Sequence, residues 1–127
     1  MTLKRVRGSY SICRLDPDES LPAWASSGFV SQTRTESELS IVCESALVPE
    51  RGPGESLREE GGWGMIQVLG PLDFGIVGVI SSIAKPLADY HVSIFSISTF
   101  DTDYFLVKEE KMELALGVLR SFGFEIE

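Results

Sequence analysis

Residues Ser98 to Val107 read STFDTDYFLV. Two carboxylates, Asp101 and Asp103, flank a threonine, and an apolar, strand-prone run follows at once. That order predicts a hairpin turn with a strand resuming at Tyr104. An earlier stretch, Thr33 to Val42, reads TRTESELSIV. At an offset of 65 residues the two align without a gap: Asp101-Thr102-Asp103 falls on Glu36-Ser37-Glu38, and Leu106-Val107 on Ile41-Val42. Phe95-Ser96 falls on Val30-Ser31, so the chain reads as a degenerate internal repeat.

Working outward from the later copy, His91 to Thr99 and Tyr104 to Lys108 form the two strands of the hairpin. Before them, Trp63 to Leu69 is a strand, and GPLDFG (Gly70 to Gly75) is a loop. Ile76, Ile80, Ile83, Ala84 and Leu87 recur at helical spacing. Pro86 lies inside that helix and removes the bond to the Ser82 carbonyl, so a kink or early stop near Lys85 is expected. After the hairpin, Met112, Ala115, Leu116, Leu119 and Phe122 mark a second helix, Gly123 caps it, and Phe124 to Ile126 is a last strand. The order is β-α-β-β-α-β, the ferredoxin-like unit of an α+β fold.

The earlier copy is worn. Ser9 to Leu15 is a strand ending at Asp16-Pro17-Asp18, Ala23 to Ser26 a short helical turn after Pro22, and Phe29 to Thr35 with Leu39 to Glu44 a hairpin. Arg51 to Gly62, RGPGESLREEGG, is rich in glycine and reads as the connection between halves. The expected division is a degenerate half over residues 1–60 and a complete βαββαβ unit over 61–127.

Composition bounds the function. The net charge of −8 argues against nucleic acid or an anionic membrane as partner. The bases near the start (Lys4, Arg5, Arg7, Arg14) read as a solubilising first strand. No apolar run approaches the ~20 residues of a membrane span, and no apolar stretch follows the basic start as in a signal peptide. Cys13 and Cys43 sit in strand-like runs without metal-ligand spacing. The expectation is a reduced, metal-free, cytoplasmic protein.

Catalysis finds little support. His91 is the one histidine, and no nucleophile elbow, P-loop or GxGxxG occurs. Two readings of the acidic turn stand. It is a plain turn, or Asp103 offers a carboxylate to an ammonium group while the amides of Gly75, Ile76 and Val77, at a helix start, accept a carboxylate. Those two charges outline a free amino acid. Asp73 is the alternative occupant of that helix start, as its cap.

The stretch from Gly70 to Phe124 resembles an ACT domain, the βαββαβ small-molecule module of amino-acid metabolism. Leu72-Asp73-Phe74, Gly78, Ser98-Thr99-Phe100 and Thr102-Asp103-Tyr104 resemble the CASTOR-type ACT subfamily. RTESELSIVCESALVPE (Arg34 to Glu50) resembles the companion half of small bacterial tandem-ACT proteins of that group. The resemblance implies an ACT domain at 61–127 preceded by a degenerate ACT-like half at 1–60. It implies a non-enzymatic regulator, without cofactor, that holds an amino acid between ACT modules. The implied ligand residues are Asp73, Phe74, Gly75, Ile76 and Val77 on one side, and Thr99, Phe100 and Asp103 on the other. Phe74 stands where the arginine sensors of the group carry an acid, so an uncharged or apolar ligand side chain is implied. A homodimer and an amino-acid-biosynthesis enzyme are the implied protein partners. The alternative is an ACT-like interaction module or regulatory subunit without a ligand of its own.

Overall fold

The computed structural model describes residues 1–70, 72–73 and 75–127. The chain forms two compact units: Gly8–Gly62, and Met1–Arg7 together with Trp63–Glu127. They are called here the N-terminal and C-terminal units.

The C-terminal unit has the α+β, ferredoxin-like βαββαβ order: β4 (Arg58–Val68), α1 (Val79–Asp89), β5 (Ile94–Ser98), β6 (Asp103–Lys108), α2 (Met112–Ser121) and β7 (Glu125–Ile126). A further strand joins it. β1 (Thr2–Leu15) begins seven residues earlier than the alternation at Ser9 suggests, and its first residues lie between β7 and β4 in the order β7-β1-β4-β6-β5. Leu3 is the reason, because it is fully buried in this unit's core. The core forms because alternate residues of the strands face one way. Ile66 and Val68 of β4 and Phe105 and Val107 of β6 meet Ile83 and Leu87 of α1, and Met112, Leu116 and Leu119 of α2. Gly64 lets α2 come close, since a Cβ there would stand 2.5 Å from Met112 Cε.

Both helices end in the same way. In α2, Gly123 (φ 94°) donates to Arg120 O, and Phe124 donates to Leu119 O. In α1, His91 (φ 59°) donates to Ala88 O, and Val92 to Leu87 O. These are Schellman motifs, with the left-handed residue just beyond the cap. His91 therefore terminates a helix, whereas strand propensity in HVSIF suggested that it opens a strand; β5 starts at Ile94. Pro86 does not stop α1 early. It is buried beside Ile83 and Leu87, and that packing carries the helix on to Asp89.

The N-terminal unit has the strand order of a ferredoxin-like sheet, with no α-helix among its described residues. Its order is β2 (Ser31–Arg34), β3 (Leu39–Glu44), β1 and β4, of which Gly8–Leu15 and Arg58–Gly62 belong here. The glycine-rich connection is thus shorter than its composition suggests, and its last five residues are strand. Ala23–Ser26 forms a turn closed by Ala25 N donating to Pro22 O, not a helix. A small core gathers Cys13, Leu15, Leu39, Ile41, Cys43 and Leu57. Both cysteines are free and buried. A hydrogen bond with the Cys43 thiol, and burial after it, push the Cys13 thiol up.

The repeat is visible in the strand register, at an offset different from the one the sequence suggests. Arg34 pairs with Leu39 at the end of one hairpin and Ser98 with Asp103 at the end of the other, an offset of 64, not 65. At that offset three buried residues of β3 (Ile41, Val42, Cys43) fall on three of β6 (Phe105, Leu106, Val107). The 3₁₀ turns after them, Ser45–Leu47 and Glu109–Lys111, coincide as well. The first strands correspond at an offset of 53, from Tyr10↔Glu44 against Trp63↔Lys108. The difference of 11 residues equals the length of α1, which the N-terminal unit lacks.

Candidate functional site

Thr102 starts the site. Its side chain is buried, and its hydroxyl donates to the Val68 carbonyl, tying the β5–β6 turn to the end of β4. The loop after β4 is drawn to the same turn, with Leu72 N donating to Asp101 O at 2.7 Å. Gly70 is required at that approach: a Cβ there would lie 2.8 Å from Leu72 N and 3.1 Å from Asp101 O. The turn itself is closed by Thr99 N donating to Thr102 O at 2.8 Å, with Thr99 Oγ1 accepting from Thr102 N at 3.3 Å.

Between the loop and the turn lies a cavity of about 360 Å³, within the C-terminal unit. One wall is Leu72, Asp73 and Ile76 of the loop with Gly78 to Ser81 at the start of α1; the other is the turn from Ser98 to Asp103. Asp103 is half-buried at the base of the turn and accepts from Ser98 Oγ at 2.6 Å, directly across the hairpin. Asp101 and Asp73 are exposed. The three carboxylates face no Lys, Arg or His among the described wall residues. Ile76 and Ile80 add apolar surface, and Phe100 is 79% exposed at the rim.

The amide side of the site differs from the expectation. α1 starts at Val79, not at Gly75, and Gly78 takes φ 84° at its N-cap without a side-chain cap. Asp73 holds the loop ahead of it: its Oδ1 accepts from Gly75 N at 3.3 Å, and its carbonyl accepts from Ile76 N at 3.0 Å. These amides are engaged, because the Asp73 side chain bonds the amide two residues on and closes its own turn. Val79, Ile80 and Ser81 of the first turn of α1 line the cavity, and first-turn amides have no partner inside their own helix.

Of the expected ligand residues, Asp73, Ile76, Thr99, Phe100 and Asp103 come together around the cavity. Gly75 and Val77 are exposed and are not part of its described wall. Phe74 lies outside the described residues. Sequence reasoning missed Ser98, Thr102 and Gly70. Ser98 pairs with Asp103 across the hairpin, whereas the expected strands, ending at Thr99 and resuming at Tyr104, left Asp103 in the turn. His91 stands at the far end of α1 from the cavity. Chemically, the site offers carboxylates and hydroxyls on one side, helix-start amides on the other, and apolar surface between. No described helix is long and apolar enough to cross a membrane.

A family model described as ACT domain matches residues 58–121, and a second, described as an N-terminal domain, matches residues 8–51. The chain is 29% identical over 105 residues to the Bos taurus protein named cytosolic arginine sensor for mTORC1 subunit 1, covering 78% of this chain and 32% of that protein. It thus spans about a third of the length of the curated relatives it matches. An Agrobacterium tumefaciens protein of known crystal structure is 38% identical, with a TM-score of 0.89, over 99% of this chain and 91% of that one. The regulatory subunit of aspartate kinase from Thermus thermophilus, in its ligand-free form, shares the fold at 13% identity and a TM-score of 0.62, over 91% and 93% of the two chains.

Proposed function

Since the chain belongs to the ACT-domain family, we propose that it is a non-enzymatic regulator whose C-terminal cleft binds a free amino acid. The observation that carries this reading is the half-buried Asp103, oriented by Ser98 across a cavity from an uncapped helix start. A carboxylate fixed in that way suits an ammonium group, which needs a charged or dipolar partner when it leaves water. The first-turn amides of α1 suit the α-carboxylate. The cavity lies at the small end of the range of about 300–1,000 Å³ for ligand pockets, enough for one small molecule. Three carboxylates without a base in the described wall disfavour an acidic ligand side chain, while Leu72, Ile76 and Ile80 favour an apolar one. Relatives named as an arginine sensor and a kinase regulatory subunit support a regulatory role. A second copy of the chain, docking on the exposed Phe100 and Val77, completes the open side.

A thermal-shift screen of the twenty amino acids with the full chain tests this. A saturable rise in Tm with at least one neutral amino acid, and none with aspartate or glutamate, is the expected result. No rise with any of them removes amino-acid binding and leaves the reading of an interaction module without a ligand.

A further inference from the structure

The register shared by the two units leads to a second cavity. At the offset of 53 that relates their first strands, Leu15 falls on Val68, and Glu19 and Ser20 fall on Leu72 and Asp73 of the cleft wall. Leu15, Glu19 and Ser20 line a cavity of their own, of about 620 Å³, within the N-terminal unit. The rest of its wall is not a hairpin turn. It includes Trp24 and the connection ahead of β4, where Glu50, Glu55 and Leu57 contribute. Ser56 of that connection donates through Oγ to Glu19 Oε1 at 2.9 Å, joining the two segments. The apolar part of the wall is anchored: Leu15 and Leu57 are buried in this unit's core, and half-buried Trp24 packs against it.

The polar part carries one sign of charge. Asp16, Glu19, Glu50 and Glu55 are exposed on the wall, and it has no Lys, Arg or His among its described residues. None of the four is in an ion pair among the described residues. They do not converge as metal ligands, since no described group of three or more His, Cys, Asp or Glu could hold a metal ion. We propose that this cavity binds an organic polycation, an aliphatic diamine or polyamine. Carboxylates spread around a concave wall match ammonium groups spaced by methylenes, where a single point charge would reach only one of them. The methylenes find Trp24 and Leu57, and the indole face attracts an ammonium group as well. Unbalanced carboxylates around a concavity raise the local concentration of cations. The site stands on its own cavity and does not rest on amino-acid binding in the C-terminal cleft.

Amide NMR spectra of the full chain, titrated with cadaverine, test this. Saturable shifts are expected at the Trp24 indole N–H and at the amides of Gly54 and Ser56, with none at Thr99 and Thr102. Pentanediol, which has the same methylenes without the charge, should produce no saturable shift. The double variant Glu50→Gln/Glu55→Gln removes two exposed charges that pack against nothing in the core, so the fold should hold. Its affinity for cadaverine should fall about two- to thirtyfold, and added sodium chloride should weaken binding to the wild type. Asp103→Asn should bind cadaverine as the wild type does. Absence of saturable shifts would overturn the proposal, and so would equal affinity in the double variant. The same shifts with magnesium chloride at matched ionic strength would also overturn it, because the wall would then gather counterions without selecting an amine.

Discussion

His91 and Gly123 occupy the same place in two helix ends and differ in fitness for it. Both are left-handed, at φ 59° and 94°. That conformation costs an L-residue roughly 1–2 kcal/mol, while glycine forfeits about 0.5–1 kcal/mol of extra chain entropy on folding. The first term is larger, and exposed His91 has no core packing to lose. His91→Gly should therefore stabilise the chain by about 0.5–1 kcal/mol, seen as a higher Tm or a higher urea midpoint at unchanged slope. A lower midpoint would show that the imidazole contributes more than the backbone strain. Ser98 illustrates a different role. Its hydroxyl orients Asp103 without carrying charge, so Ser98→Ala should weaken amino-acid binding by only about two- to tenfold. Asp101, exposed at the tip, should tolerate change to Asn with little effect on affinity, and calorimetry on both variants checks the difference.

At the scale of elements, close approach decides which glycines matter. A Cβ at Gly64 meets the flexible end of Met112, whereas one at Gly70 meets two backbone atoms that cannot yield without moving the loop. Gly70→Ala should cost about 1–3 kcal/mol and lose ligand response, while Gly64→Ala should cost less and keep it. Chemical denaturation with a thermal-shift readout distinguishes the two; equal losses would contradict the argument. The same scale shows what the sequence revealed. The βαββαβ order was legible because Ile83, Leu87, Leu116 and Leu119 repeat at helical spacing and Phe105 and Val107 alternate. The hairpin repeat was legible from acid and hydroxyl composition, but its register was not, since composition tolerates a slip of one residue and strand pairing does not. The Ser98–Asp103 pair was concealed because the expected strand resumed at Tyr104 and left Asp103 in the turn. The start of α1 was misplaced because Ile76 continues the apolar spacing, yet Asp73 closes its own turn and Gly78 turns left-handed before the helix can begin. Arg58–Gly62 was hidden as strand because its glycines read as linker, although the edge of the sheet uses them.

For the molecule as a whole, two expectations follow from the same cleft. The first is assembly. Val77, in the loop before α1, is 90% exposed, and Phe100, on the cavity wall, is 79% exposed, and exposed apolar groups favour covering by a partner. Light scattering should give twice the 14.0 kDa mass of the chain, with Phe100→Ser shifting the balance toward monomer; a monomer at high concentration contradicts it. The second is the ligand. If an amino acid sits in the cleft, its ammonium meets Asp103, and a charge-assisted hydrogen bond of about 1.5–3 kcal/mol is at stake. The most direct measurement is calorimetric titration of the wild type and Asp103→Asn with the neutral amino acid that raises Tm most. The account predicts saturable binding to the wild type and affinity weaker by roughly ten- to a hundredfold in Asp103→Asn, with unliganded Tm unchanged. Equal affinities for the two proteins would contradict it.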